Sequence, residues 1–166
     1  MFVGLVGEEK GVDKIIDCFK IVQKDFSQSR LIIVGNGSKK KLYESMKIKN
    51  VEFAGYQKDP RNFLLQGSIY INLARIEPAG IAVIEAMCAG LVPIITENVG
   101  FKEVVMKVSG DLIVSSPQAA AKQINRLWND NVLLNNFSKK AIVEGKKITR
   151  EKSISAFLKA IEEIMG

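Results

Sequence analysis

Histidine is absent from the 166-residue chain. That removes any Ser-His-Asp or Cys-His catalytic unit, and it leaves zinc without its usual nitrogen ligand. Cysteine is scarce: Cys18 and Cys88 stand far apart, each inside an apolar helical pattern. They read as free thiols of a reduced compartment, not as a disulfide framework. No Asp-x-Asp pair occurs either. Long apolar runs are missing as well. The most apolar stretch, Pro78 to Thr96, is interrupted by one Glu, two Gly and two Pro, too broken to span a bilayer. No secretory leader is read at the N-terminus. Any chemistry must therefore rest on carboxylates, lysines or backbone dipoles.

What is present is ordinary globular material. Hydrophobic residues make up 47% and charged residues 25%, near the average for folded domains, which argues against disordered and fibrous classes. The length fits one domain that buries roughly two-thirds of its unfolded surface. The net charge of +6 suits an anionic ligand, a nucleic acid or an anionic membrane surface. It is equally compatible with plain solubility charge.

Strand and helix patterns alternate. Apolar strand runs are read at Phe2 to Val6, Leu31 to Val34, Val51 to Ala54, Ile69 to Leu73, Val92 to Thr96 and Leu112 to Val114. Helices are read at Val12 to Phe26, Lys39 to Met46, Pro60 to Leu65, Gly80 to Ala89 and Phe101 to Val105. Another starts at Ser116-Pro117, a Ser cap with Pro in the first turn. That helix carries Ala120, Ile124, Leu127 and Trp128 on one face. Two more follow, over Val132 to Gly145 and Ile148 to Met165. Such alternation predicts an α/β domain with a parallel sheet covered on both faces. Ligands of these folds bind at the carboxyl ends of the strands, near a topological switch point.

Among the residues that follow the strands, Glu85 stands out. It is the only charged residue from Pro78 to Thr96. The helix around it is apolar nearly all round, so the carboxylate is expected to be buried. A buried carboxylate needs a partner: either a structural ion pair or a ligand. Glu77 stands eight positions earlier, in the loop leading to that helix. It is either a first-turn acid on the helix dipole or a ligand contact. Gly80, with Ala79 and Ile81 beside it, offers free N–H groups at a helix start, an anion site. Lys10, between Glu9 and Gly11, reaches a phosphate or is simply solvated. Gly35-Asn36-Gly37-Ser38 lacks the third glycine of a dinucleotide fingerprint and the Gly-Lys-Ser/Thr of a P-loop.

Taken in order, these stretches resemble one family. Phe-Val-Gly at 2–4, Glu-Lys-Gly at 9–11, Leu-Ile-Ile-Val-Gly-Asn-Gly at 31–37 and Val-Glu-Phe-Ala-Gly at 51–55 match the C-terminal domain of retaining glycosyltransferases of family 4. That large group includes sucrose synthases, phosphatidylinositol mannosyltransferases and many lipopolysaccharide mannosyltransferases. The most specific stretch is Glu-Pro-Ala-Gly-Ile-Ala-Val-Ile-Glu-Ala-Met-Cys-Ala-Gly at 77–90, whose two glutamates have seven residues between them. That is the family's E-x7-E spacing. Gly100-Phe-Lys-Glu-Val-Val105 resembles the element that follows it.

The resemblance implies a Rossmann-like three-layer α/β/α domain, one half of a GT-B fold. It implies that Glu85 holds the ribose, Glu77 the donor sugar and Lys10 the diphosphate, together with backbone N–H groups at Ala79, Gly80 and Ile81. Gly4 belongs to the same donor site, and Gly55-Tyr56 borders the base. It implies a nucleoside diphosphate sugar donor carrying a mannose-like or glucose-like hexose, with no metal and no cofactor. The acceptor-binding partner, an N-terminal domain or separate subunit, is expected to be missing. Nucleic acid is not an expected partner. The expected location is the cytoplasm, with peripheral attachment to the inner face of the membrane through a lipid or glycan acceptor. Two departures stand out: Leu5 occupies the place of a basic residue that usually contacts the diphosphate, and Val99-Gly100 replaces a double glycine. The competing readings are a non-catalytic nucleotide-binding regulator, which Leu5 favours, and a GT-B-like sugar-nucleotide epimerase, against which the E-x7-E spacing argues.

Overall fold

A computed structural model describes residues 1–148 of the chain; the last expected helix therefore lies, save for Ile148, outside the described residues. Five strands are parallel: β1 (Phe2–Val3), β2 (Leu31–Val34), β3 (Val51–Gly55), β4 (Ile69–Asn72) and β5 (Val92–Ile95). Every residue of β2, β4 and β5 is buried, as continuous apolar runs demand when helices cover both faces. One ladder joins β1, β2 and β3, and another joins β4 and β5. Met1 connects them: its nitrogen donates to the Ile69 carbonyl and its own carbonyl accepts from Ile71 N–H, both at 2.8 Å. The sheet thus runs β3-β2-β1-β4-β5, and the strand order reverses between β1 and β4.

The helices are α1 (Val12–Asp25), α2 (Lys40–Ser45), α3 (Arg61–Leu64), α4 (Ile81–Cys88), α5 (Lys102–Met106), α6 (Pro117–Asn129) and α7 (Asn131–Lys146). α1 buries Val12, Ile15, Ile16, Phe19 and Val22, the stripe read from its periodicity. α6 packs against α1, and α7 against α4. Ser116 caps α6 through its hydroxyl, which accepts from Ala119 N–H at 3.1 Å. Among the described residues no helix is long and apolar enough to cross a membrane.

Two expectations need correction. β1 ends at Val3, although the Gly4 and Val6 N–H groups still donate to the Val34 and Asn36 carbonyls at 2.9 Å each. The strand expected at Leu112 to Val114 is a 3-10 turn over Gly110–Leu112, nucleated when the Ser109 hydroxyl accepts from Asp111 N–H. Only Ile113 pairs with the sheet, extending its edge beside Ile95. On the α6 face shared with Ala120, Ile124 and Leu127, Trp128 is 38% exposed and stacks on Phe26, ring centroids 5.6 Å apart.

The two thiols differ sharply. Cys18 is buried and desolvation pushes it up to about 12, whereas Cys88 lies at the exposed end of α4. A thiolate is the reactive species. Desolvation raises the Cys88 thiol too, but its exposure leaves it open to attack, so one thiol per native chain is expected to react well ahead of the other with an aromatic disulfide reagent at pH 8. Cys88→Ser should abolish that phase and leave Cys18 reactive only in denaturant; a persisting fast phase would contradict the packing of α1.

Candidate functional site

Three loops meet at the carboxyl ends of β1, β4 and β5. The loop after β1 runs from Gly4 to Gly11, the loop after β4 from Leu73 to Gly80, and the chain after β5 continues through Asn98 to Gly100. Arg75 ties the first two together. Its N–H donates to the Glu9 carbonyl at 2.8 Å, and its guanidinium donates to the Glu8 carbonyl at 2.7 Å. The same guanidinium grips both oxygens of Asp13 at 2.8 and 2.6 Å, a bidentate geometry. The hydrogen bonds from Arg75 hold the Asp13 carboxyl below the usual carboxylate range.

Gly11 begins α1 at φ 65°, and a Cβ there would sit 2.0 Å from the Leu73 carbonyl oxygen. The third loop is as close. Glu77 N–H donates to the Asn98 carbonyl at 3.3 Å, and Gly100 N–H to the Glu77 carbonyl at 2.9 Å. A Cβ on Gly100 would lie 1.8 Å from the Pro78 carbonyl oxygen. Val99, the residue in place of the first glycine, is buried and its side chain fills the space beside Gly80.

The side chains converge from there. Glu77 Oε2 accepts from Lys10 Nζ at 2.7 Å, with the two side chains 22% (Lys10) and 19% (Glu77) exposed. Glu77 Oε1 accepts from the Gly80 N–H at 3.3 Å. Gly80, at φ 67°, precedes α4 without a capping side chain of its own. Glu77 thus caps the helix from three residues upstream, where the dipole favours negative charge. The structure brings together Lys10, Glu77, Gly80 and the start of α4, and joins Lys10 to Glu77 directly.

Glu85 is exposed, not buried. The apolar composition misled because α4 has only eight residues and is clamped between the sheet and α7. Val83, Ile84, Ala86 and Met87 serve those contacts. Ile81, Glu85 and Cys88, at i, i+4 and i+7, form the remaining open stripe. Ala79 and Ile81 are exposed beside the buried Gly80. Gly4 ends β1, and Leu5 is 54% exposed next to it. Gly55 turns at φ 71° as the last residue of β3 and leaves Tyr56 projecting, 72% exposed.

Two residues of this region were not singled out by the sequence pattern. Arg75 is one; its signal was a cation two positions before Glu77. Tyr70 is the other, a phenol between two isoleucines of β4. It is buried on β4 and donates to the Val3 carbonyl at 3.2 Å. Burial pushes its phenol up, and the charges of Glu77 and, more weakly, Glu85 add to the shift. A separate cavity of about 240 Å³ lies at the opposite end, lined by Ile15, Phe19, Ile69, Ile124 and Trp128 among others. None of the candidate residues borders it.

The continuous parallel sheet, with its loops locked together where the strand order reverses, defines a Rossmann-like domain of the GT-B glycosyltransferase kind. The chain belongs to the family described as Glycosyl transferases group 1, matched over residues 1–144. An uncharacterized glycosyltransferase of Methanocaldococcus jannaschii is 26% identical over 172 residues, covering 99% of this chain and 48% of that protein. The chain thus spans about half the length of that relative. The pneumococcal O-GlcNAc transferase GtfA, solved with UDP and GlcNAc, superposes with a TM-score of 0.83 at 17% identity, over 99% of this chain and 35% of that one. The C-terminal domain of a group 1 glycosyl transferase (LpcC) from Francisella tularensis superposes at 0.77 and 18% identity, over 88% of this chain and 83% of that one.

The backbone contact at Gly11 sets an expected cost. Gly11→Ala should lower unfolding stability by about 2 kcal/mol or more, since a left-handed alanine must also displace a carbonyl. Gly110→Ala, with nothing within 4 Å of its Cβ, should stay within about 0.5 kcal/mol of the parent. Urea melts of both variants measure the difference, and equal midpoints would mean the loops are not in contact.

Proposed function

We propose that the chain is the donor-binding domain of a retaining glycosyltransferase that takes a hexose from a nucleoside diphosphate sugar. The observation that carries this reading is the arrangement of Lys10, Glu77 and Glu85 around one helix: a cation and a carboxylate at the start of α4, and a second carboxylate on its open stripe. The UDP and GlcNAc of the pneumococcal neighbour support a donor of this chemical class. Lys10 and the N–H groups at Ala79 to Ile81 hold the diphosphate and stabilise its negative charge as it departs. Glu85 accepts from the ribose hydroxyls, Glu77 from the hexose, and Tyr56 borders the base.

The acceptor binds on a second domain or subunit, and the two halves orient the reactants in the cleft between them. The span of about half the M. jannaschii relative supports that division. We assign the hexose to the mannose or glucose type and the acceptor to a lipid or glycan at the cytoplasmic membrane face, on the family resemblance. The donor site as assigned uses no metal. The exposed Leu5 beside Gly4 favours a second reading, a nucleotide-binding regulator with little turnover.

Because Glu85 is exposed, replacing it leaves the core alone and isolates its binding role. Charged hydrogen bonds contribute about 1.5–3 kcal/mol each, so Glu85→Gln should weaken nucleoside diphosphate binding about ten-fold or more. Its thermal midpoint should match the parent's. Calorimetric titration with UDP, GDP and ADP gives the answer. A variant that binds the preferred nucleotide as tightly as the parent removes the ribose assignment.

A further inference from the structure

Resting on that donor-site reading, we propose that the Lys10–Glu77 ion pair makes the site discriminate against the free nucleoside diphosphate, the reaction's own leaving group, relative to the intact sugar nucleotide. The other cations of these loops are engaged elsewhere. Arg75 is held by Asp13 and the Glu8 carbonyl, and Lys39 stands 3.7 Å from Glu8. Position 5 is leucine. Among the described residues of these loops, Lys10 is the cation left beside the start of α4 for a diphosphate, and it is already bonded to Glu77 at 2.7 Å.

Both oxygens of Glu77 are occupied: Oε2 by Lys10 and Oε1 by the Gly80 N–H. A diphosphate seated on Lys10 and the start of α4 competes for the same two partners. It would leave Glu77, four-fifths buried, beside an anion and short of donors. Desolvated carboxylates lacking donors are costly, and a neighbouring like charge adds to the cost. A hexose on the terminal phosphate changes the exchange, since its hydroxyls donate to Glu77 in place of Lys10. It also removes one ionisable oxygen from that phosphate. Cleavage of the sugar–phosphate bond takes those hydroxyls away and restores the conflict, so Glu77 draws Lys10 back and the leaving group is expelled.

The test compares matched ligands, UDP with UDP-glucose and GDP with GDP-mannose, on the 166-residue chain and its variants by calorimetry. Glu77→Gln and Glu77→Ala free Lys10. Each is expected to bind the free diphosphate about five-fold tighter or more than the parent, and to shrink the preference for the sugar nucleotide by at least that factor. Glu9→Gln removes a neighbouring carboxylate outside the pair and should change diphosphate affinity less than two-fold, a size set by screening of exposed charge. Should neither Glu77 variant fold, the carboxyl carbon resonance of Glu77 in the parent must move when UDP or GDP is added and largely return with the matched sugar nucleotide. Unchanged or weakened diphosphate binding in the Glu77 variants, an equal gain in Glu9→Gln, or an unmoved resonance overturns the discriminator and leaves the donor site standing. Absence of binding by every nucleotide to the parent and variants removes the donor site itself, and the discriminator with it.

Discussion

Three loops touch backbone to backbone where the strand order reverses, and the arrangement of Lys10, Glu77 and Gly80 depends on that contact. Leu73 and Pro78 carbonyls sit where side chains at Gly11 and Gly100 would have to be. Arg75 then fastens the first loop to the second from outside, and Glu77 hangs by its own peptide between Asn98 and Gly100. Buried backbone groups must find partners, so these bonds hold the loops in one arrangement. The result is a short, rigid frame in which Lys10 and Glu77, distant in sequence, meet within hydrogen-bonding distance.

The order of strands and helices was legible because it rests on periodicity, a local property. α1 shows this best: its stripe of Val12, Ile15, Phe19 and Val22 is the stripe the structure buries. What failed was non-local. Glu85 looked buried because its neighbours on the helix are apolar, but those neighbours serve two packing partners and leave a third side open. The turn at Gly110 resembled a strand because three apolar residues in a row carry no period that separates the two.

The site was half legible for the same reason. Glycines, a helix start and two glutamates at a set spacing can be read along a chain, whereas it was the family resemblance that put Lys10 and Glu77 on one donor. That they bond to each other depends on how β1 and β4 come to lie side by side, which the ladder through Met1 decides. Arg75 and Tyr70 went unremarked because each acts across strands: one reaches Asp13, the other the Val3 carbonyl. The E-x7-E spacing gains a geometric meaning here. One glutamate stands just ahead of α4, and the other lies a little over one turn inside it on the open stripe.

Trp128 is the sole tryptophan of the chain, and it stacks on Phe26 where α6 meets α1, beside the first residues of β2 and β4. That is the end of the sheet remote from the three loops. Its emission is therefore an optical gauge of the seam between two helices. It reports whether the domain is folded while staying largely blind to what occupies the opposite end.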